Sequence, residues 1–180
     1  MLNPSVLFSY PIILCASNLL NSGSSEKLEL LASLLVERLM LMETVASYKM
    51  EYLLPIEDPI REQTILKQMR INAEQTGIDP ESVVTFADSL MKAGKAAQYR
   101  YLADWISSPD KRQLVQELDP IRLQISHLDN RLLREIKNYL DVSHFSAEVL
   151  IRLENNMSVP KSSKTDIRNI LSTLNEIRKT

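Results

Sequence analysis

The stretch from residue 31 to residue 62 constrains the fold of this chain more than any other. Its apolar residues recur at helical spacing, and neither glycine nor proline interrupts it before Pro55. On a helix projected at about 100° per residue, Arg38 and Lys49 lie on one stripe. The apolar members of that stripe are Leu31, Met42 and Val45. The two cations are eleven residues apart. They are therefore separated by about three turns, or roughly 16 Å, on a face that should be buried.

Local start and stop signals divide the chain into helices. The N-cap candidates are Ser24 or Ser25, then Asp58, Asp79 and Asp119, the last three of which precede a proline. Pro55 and Gly77 are stop signals for the first two helices. The predicted helices span about residues 24–53, 59–76, 80–107, 118–140, 145–157 and 163–179, with a linker at 107–117.

The composition supports an all-α fold. Only 3 of the 180 residues are glycine, good helix formers dominate, and no segment alternates as a strand does. We predict a single-domain helical bundle of about six helices built on three long ones. The formal charge of −2 and the pI near 5.8 do not fit a nucleic-acid-binding domain. One cysteine, Cys15, and two histidines, His127 and His144, are too few for an internal disulfide or a zinc site.

The N-terminal segment has the character of an export signal. The first 25 residues contain no charged side chain, and the segment from Val6 to Leu20 is mostly apolar. Pro11 interrupts this apolar segment, which is too short for a stable membrane span. We predict a signal peptide or apolar arm at residues 1–23 and an all-helical domain at 24–180. The expected location is periplasmic or secreted, with the cytoplasm as the alternative.

Further polar residues fall on helix faces that should be buried. Gln98 lies on the apolar stripe of the third helix, Arg122 lies on that of the fourth, and Arg61 begins the second. Each alone has an ordinary explanation, because long cations reach water along apolar surfaces and buried amides are common in cores. Their occurrence together with Arg38 and Lys49 needs a different explanation, because burying several unpaired cations costs several kcal/mol each. An anionic ligand held between the helices would balance their charge.

The chemistry that this set of residues supports is narrow. Only three acidic residues lie near the stripes, namely Glu37, Asp58 and Asp129. No Ser-His-Asp set, cysteine nucleophile, metal-binding cluster or glycine-rich phosphate loop is recognisable in the sequence. A cavity of fixed cations and a neutral amide suits a reaction that needs conformational restraint and electrostatic stabilisation without proton transfer.

These residues and their order resemble the all-helical chorismate mutases, specifically their exported subclass. The matching residues are Glu37-Arg38-Leu39, Lys49, Leu54-Pro55-Ile56-Glu57-Asp58, Arg61-Glu62, Ile78-Asp79-Pro80, Gln98-Tyr99, Asp104-Trp105, Arg122 and Ile125-Ser126-His127-Leu128-Asp129. The resemblance covers a core at about residues 28–140. The tail, residues 141–180, resembles the subclass only in length and helical character.

The resemblance implies an isomerase that converts chorismate to prephenate, on the shikimate route to phenylalanine and tyrosine. It implies that Arg38, Arg61 and Arg122 hold the two carboxylates of chorismate. Lys49 and Gln98 resemble the donors on either side of the ether oxygen. No cofactor is implied, and a homodimer is expected. The spacing leaves open whether Arg122 serves its own cavity or that of a partner.

The remaining correspondences include one departure from the family pattern. Asp58 and Glu62 resemble the residues that hold the substrate hydroxyl region and orient the arginines. Gly94 stands where the family usually has serine or threonine, so a side-chain hydrogen bond to the substrate is lost there. Some exported relatives have glutamate at the position of Gln98, which must be protonated to donate. The alternative to an enzyme is a catalytically degenerate helical bundle that binds a partner.

Overall fold

The computed structural model describes the backbone of residues 12–180 and the side chains from residue 23 onward. It contains six α-helices: α1 at Ile12–Glu51, α2 at Pro59–Thr76, α3 at Pro80–Ser107, α4 at Leu118–Leu140, α5 at Ala147–Asn156 and α6 at Lys164–Asn175. A 3₁₀ turn at Pro109–Lys111 lies in the predicted linker. The described residues form no strand, only an isolated bridge between Ile78 and Lys179. The all-α prediction is confirmed, and most of the predicted signal peptide lies outside the residues whose side chains are described.

The signals between the first three helices act as predicted. The Asp58 side chain accepts a hydrogen bond from the backbone N–H of Arg61 at 3.1 Å, and Asp79 does the same for Ser82 at 3.3 Å. Gly77 ends α2 in the left-handed conformation, with φ 78°, which glycine adopts without a Cβ clash. Local capping chemistry therefore fixes both ends of α2 and the start of α3.

Both predicted ends of α1 are wrong, and α6 ends at Asn175 and not at residue 179. The helix α1 begins at Ile12 and not after Ser24 or Ser25, because a serine caps a helix only where the preceding backbone leaves the helical conformation. It ends at Glu51, two residues before the predicted end at Leu53. The helix α4 spans Leu118–Leu140 as predicted, but Asp119 lies in its first turn and is not its N-cap.

The long helices bury a continuous apolar core. The helix α1 packs against α3 and α4, α2 packs against α3 and α4, and α6 covers another face of α3. The largest fully buried side chains include Leu35, Phe86, Leu90, Leu132 and Ile136. Among the described residues, none of the helices combines the length and the apolar character that a membrane span requires.

The predicted C-terminal tail completes this core. Ile170 and Leu174 of α6 belong to the same buried cluster as the residues of α1, α3 and α4. The rings of Tyr139 and Phe145 stack with centroids 4.8 Å apart and join the end of α4 to the following loop. Towards the C-terminal half of α1 the main core gives way to a smaller apolar cluster, which contains Met42 and Leu118. That cluster borders a polar cavity.

Candidate active site

A cavity of about 400 Å³ lies between α1, α2, α3 and α4. Seven of the eight residues predicted for the site line it, namely Arg38, Lys49, Asp58, Arg61, Glu62, Gln98 and Arg122. They come from four separate helices and the α1–α2 loop of one chain. The eighth, Gly94, is not a lining residue. The volume of the cavity and its mixed polar and apolar lining are typical of a small-molecule site.

Arg38 is held by a buried ion pair. Its Nε donates to Oδ1 of Asp129 on α4 at 2.5 Å, and the two side chains are only 5% and 7% exposed. Of the three acidic residues expected near the apolar stripes, Asp129 is therefore the partner of Arg38, whereas Glu37 is exposed. The pair uses Nε, so the two terminal nitrogens of the guanidinium are not part of it. The Asp129 carboxylate thus fixes the orientation of the arginine fork.

Lys49 is tied to the loop that joins α1 to α2. Its Nζ donates to the carbonyl oxygen of Ile56 at 2.6 Å, and the residue is 8% exposed. Burial lowers the pKa of Lys49 below its usual value of 10.5, and the nearby Arg122 lowers it further. The Asp58 and Glu62 carboxylates act in the opposite direction. An additional anion in the cavity would also favour the charged ammonium.

Gln98 is buried with half of its amide unsatisfied. Nε2 donates to the carbonyl oxygen of Gly94 at 3.3 Å and lies 3.5 Å from Sδ of Met42. Oε1 is buried without a hydrogen-bond partner among the described residues. An ideal Cβ built on Gly94 would lie 2.9 Å from Met42 Sδ. Met42 therefore occupies the space that a side chain at position 94 would need.

Arg122 reaches the cavity of its own chain. Its Nη2 lies 3.6 Å from Oδ2 of Asp58, and its Nη1 lies 3.7 Å from Oδ1 of Asp119 in the first turn of α4. Its side chain is 33% exposed, so the prediction that it is buried holds only in part. Arg61 follows the N-cap of α2 and is also partly exposed. These two arginines border the cavity where it opens to solvent.

Comparison with known proteins identifies the family. Residues 29–99 match the family model described as chorismate mutase type II. The chain is 40% identical over 173 residues to the monofunctional chorismate mutase of Enterobacter agglomerans, covering 96% of each protein. It is 33% identical to the secreted chorismate mutase of Yersinia pestis, covering 82% of this chain and 80% of that one. The chain belongs to the chorismate mutase type II family. Chorismate mutases are isomerases, so this membership assigns the chain to that class of enzyme.

The solved structures agree with this assignment. The crystal structure of the secreted chorismate mutase from Yersinia pestis superposes with a TM-score of 0.77 at 32% identity, covering 83% of this chain and 97% of that one. The chorismate mutase fold thus extends well beyond the matched segment 29–99, and it includes α4, which carries Arg122 and Asp129. In the described part of this chain, no group of three or more His, Cys, Asp or Glu side chains is arranged to hold a metal ion.

Sequence reasoning missed several residues that line the cavity. Lys95 on α3 donates to Oε2 of Glu62 on α2 at 2.8 Å. Asn72 on α2 donates to Asn130 on α4 at 2.5 Å. The spacing of Lys95 could have predicted its position, because it lies three residues before Gln98 and such residues share a helix face. No local pattern predicts the asparagine pair, because its two residues lie on different helices and are 58 positions apart in the sequence.

Proposed function

We propose that this protein converts chorismate to prephenate by a cofactor-free Claisen rearrangement. Within one molecule an ether C–O bond breaks and a C–C bond forms, and no proton leaves or enters. The observation that carries the proposal is the set of cations Arg38, Lys49, Arg61 and Arg122 around one cavity, with the Gln98 amide also in its lining. Family membership supports the same reaction.

The arginines hold the two substrate carboxylates. Asp129 fixes the Nε of Arg38. The terminal nitrogens of Arg38 are therefore already oriented when a substrate carboxylate binds. Arg122 and Arg61 lie where the cavity opens and complete the clamp. A guanidinium binds two carboxylate oxygens at once. Holding both carboxylates brings the reacting carbons together, which can supply a large part of the rate enhancement.

Lys49 and Gln98 stabilise the negative charge that develops on the ether oxygen. The Lys49 ammonium has three donors, and Ile56 accepts from it at 2.6 Å. One N–H of Gln98 faces the Gly94 carbonyl, and its Nε2 also faces the weak acceptor Met42 Sδ. A developing oxyanion is a stronger acceptor than a thioether, so it takes the N–H from Met42. Both donors then bind the transition state more tightly than the substrate.

Asp58 and Glu62 hold the substrate hydroxyl and shape the cation set. Asp58 faces Arg122, with 3.6 Å between Oδ2 and Nη2, and its backbone N–H donates to Oε1 of Glu62 at 3.2 Å. These carboxylates lie in the turn that starts α2. A substrate hydroxyl in the cavity can donate a hydrogen bond to one of these carboxylates.

Loss of chorismate absorbance with purified protein tests the proposal. We expect turnover by the native chain, and a loss of about 10²-fold or more in kcat/KM for Arg38→Ala and for Lys49→Ala. Arg70→Ala is the matched control, because the Arg70 pair with Glu81 is 3.1 Å long and exposed. Helicity measured by circular dichroism checks that each variant is folded.

The alternative function, a degenerate binding bundle, is distinguished by the same assay. Position 94 carries no side chain, and Met42 fills that space, which is the observation in its favour. No chorismate loss at high protein concentration would support it. Full activity of both the Arg38 and the Lys49 variants would instead show that the reaction occurs but that the residue roles are wrong.

We also propose that the domain is exported and forms a homodimer. The name of the relative from Yersinia pestis, a secreted chorismate mutase, supports export, with residues 1–23 as the cleaved segment and 24–180 as the mature domain. The N-terminal residue of the mature protein tests this. The dimer is an expectation from the family resemblance, and sedimentation equilibrium tests it. Arg122 lines the same cavity as Arg38 and Lys49, which supports a complete site in each protomer.

A further inference from the structure

We infer that Lys95 binds a carboxylate of the dianionic substrate and so replaces the side-chain donor that Gly94 lacks. This inference rests on the proposed function and adds a residue to the binding site. Gly94 contributes no side chain, and Met42 closes the space beside it. Lys95 is the next residue of α3 and lines the cavity. The helix thus brings a long cation to the cavity wall beside a position that contributes no side chain.

The position of Lys95 on α3 directs it into the cavity. Met91, Lys95 and Gln98 are spaced by four and three residues, which places them on one helix face, and all three line the cavity. The Lys95 side chain is only 25% exposed. Lys92 of the same helix does not line the cavity. It is 71% exposed and pairs with Asp88 on its own helix at 2.7 Å.

Glu62 holds the Lys95 ammonium in place without satisfying it. Oε2 of Glu62 accepts from Lys95 Nζ at 2.8 Å, and Oε1 accepts from the backbone N–H of Asp58. The carboxylate is therefore anchored at the start of α2, and it fixes the lysine head at the cavity wall. An ammonium has three donors. Glu62 takes one, so the others remain for an incoming oxygen.

The charge of the cavity agrees with this role. Its lining contains five cations, namely Arg38, Lys49, Arg61, Lys95 and Arg122, and three carboxylates, namely Asp58, Glu62 and Asp129. The surplus is two positive charges, which matches a substrate with two carboxylates. Without Lys95 the surplus would be one, and one substrate charge would be buried without compensation.

The test separates KM from kcat in Lys95→Met, which removes the charge and keeps most of the side-chain length. A carboxylate contact is present in substrate and transition state alike, so its loss weakens binding without slowing the bound complex. We expect KM to rise about 10- to 100-fold, with kcat changed by less than about threefold. Lys95→Arg keeps the charge and should restore most of the affinity. Lys92→Met is the matched control and should leave both constants unchanged.

A purely structural role for Lys95 would be to neutralise Glu62. The effect of Lys95→Met is therefore measured again in a Glu62→Gln background, where there is no carboxylate to neutralise. We expect the rise in KM to persist there. An unchanged KM in Lys95→Met, a loss confined to kcat, or the disappearance of the effect with Glu62→Gln would each overturn the inference while the native chain remains active. An inactive native chain would instead overturn the proposed function, and this inference with it.

Discussion

The thioether of Met42 and the missing side chain of Gly94 form a complementary pair. A Cβ on Gly94 would lie 2.9 Å from Sδ and 3.4 Å from Cγ of Met42, and the distance to Sδ is shorter than an ordinary van der Waals contact. The same sulfur faces Nε2 of Gln98 at 3.5 Å. Met42 of α1 therefore occupies the space beside Gly94 of α3. The Met42 sulfur is also a weak acceptor beside the Gln98 amide, which we propose to be catalytic.

Gly94→Ser should destabilise the protein even though serine is the residue that the family resemblance expects. The new side chain must displace Met42, and overpacking of this kind costs about 1–3 kcal/mol. Denaturant unfolding measures the loss. Met42→Val in the same chain makes room, so Gly94→Ser should cost less in that background than in the native one. Additive effects of the two changes would show that the pair is not coupled.

Asp129→Ala should be strongly destabilising, because it leaves the buried Arg38 guanidinium unpaired. Breaking a buried pair by removing one partner costs about 3–5 kcal/mol. The matched control is Glu81→Ala, which removes the exposed partner of Arg70 and should cost less than about 1 kcal/mol. Equal losses in the two variants, measured by urea unfolding, would mean that the Arg38–Asp129 pair does not anchor the fold.

The pH dependence should be flat from mildly acidic to mildly basic conditions. Gln98 is a neutral amide and needs no proton to donate, whereas Gln98→Glu should shift activity towards acidic pH. A steep drop in the native kcat/KM as pH rises through about 6 would contradict this role for Gln98.

Activity should be lost on the alkaline side when Lys49 gives up its proton. Burial lowers the pKa of Lys49 below 10.5, so the fall in kcat/KM, which reports the free enzyme, should be centred below that value. Bound substrate carboxylates raise the pKa again, so the fall in kcat should lie at higher pH. Coincident profiles of the two constants would place the substrate carboxylates away from Lys49.

Mixing two inactive variants should not restore activity. Arg38 and Arg122 line one cavity of one chain, so a dimer of Arg38→Ala and Arg122→Ala chains has no intact site. We expect the rate of the refolded mixture to equal the mean rate of the separate variants. Recovery towards a quarter of the native rate would instead show that Arg122 completes the site of a partner chain, because half of the dimers would be mixed and each would have one intact site.

The sequence predicted those parts of the structure that depend on neighbouring residues. The ends of α2 follow from Asp58 and Gly77, whose capping geometry involves only residues up to four positions away. The start of α1 was missed, because Ser25 is a cap signal that operates only if the helix has not already begun upstream. Helical periodicity also placed Arg38 and Lys49 on one face without any knowledge of what covers them.

What could not be predicted depends on contacts between helices. The partner of Arg38 lies 91 positions away on α4, and no local pattern selects Asp129 over other acids. Apolar stripes do not indicate Lys95, because the cavity wall at that position is an ion pair with Glu62. The exposure of Arg122 likewise follows from where the cavity opens.

The single uninterrupted helix that carries Arg38 and Lys49 limits how the length of this chain can vary. The eleven-residue spacing corresponds to a rotation of three full turns plus about 20° around the helix axis. No loop within Ile12–Glu51 could absorb a change in the number of residues. Insertion or deletion of one residue would rotate Lys49 by about 100° relative to Arg38 and direct it out of the cavity. A change of length in residues 108–117, which contain only a 3₁₀ turn, should rotate neither cation relative to the other. This eleven-residue interval should therefore accept substitutions at its outward positions but no change in its length.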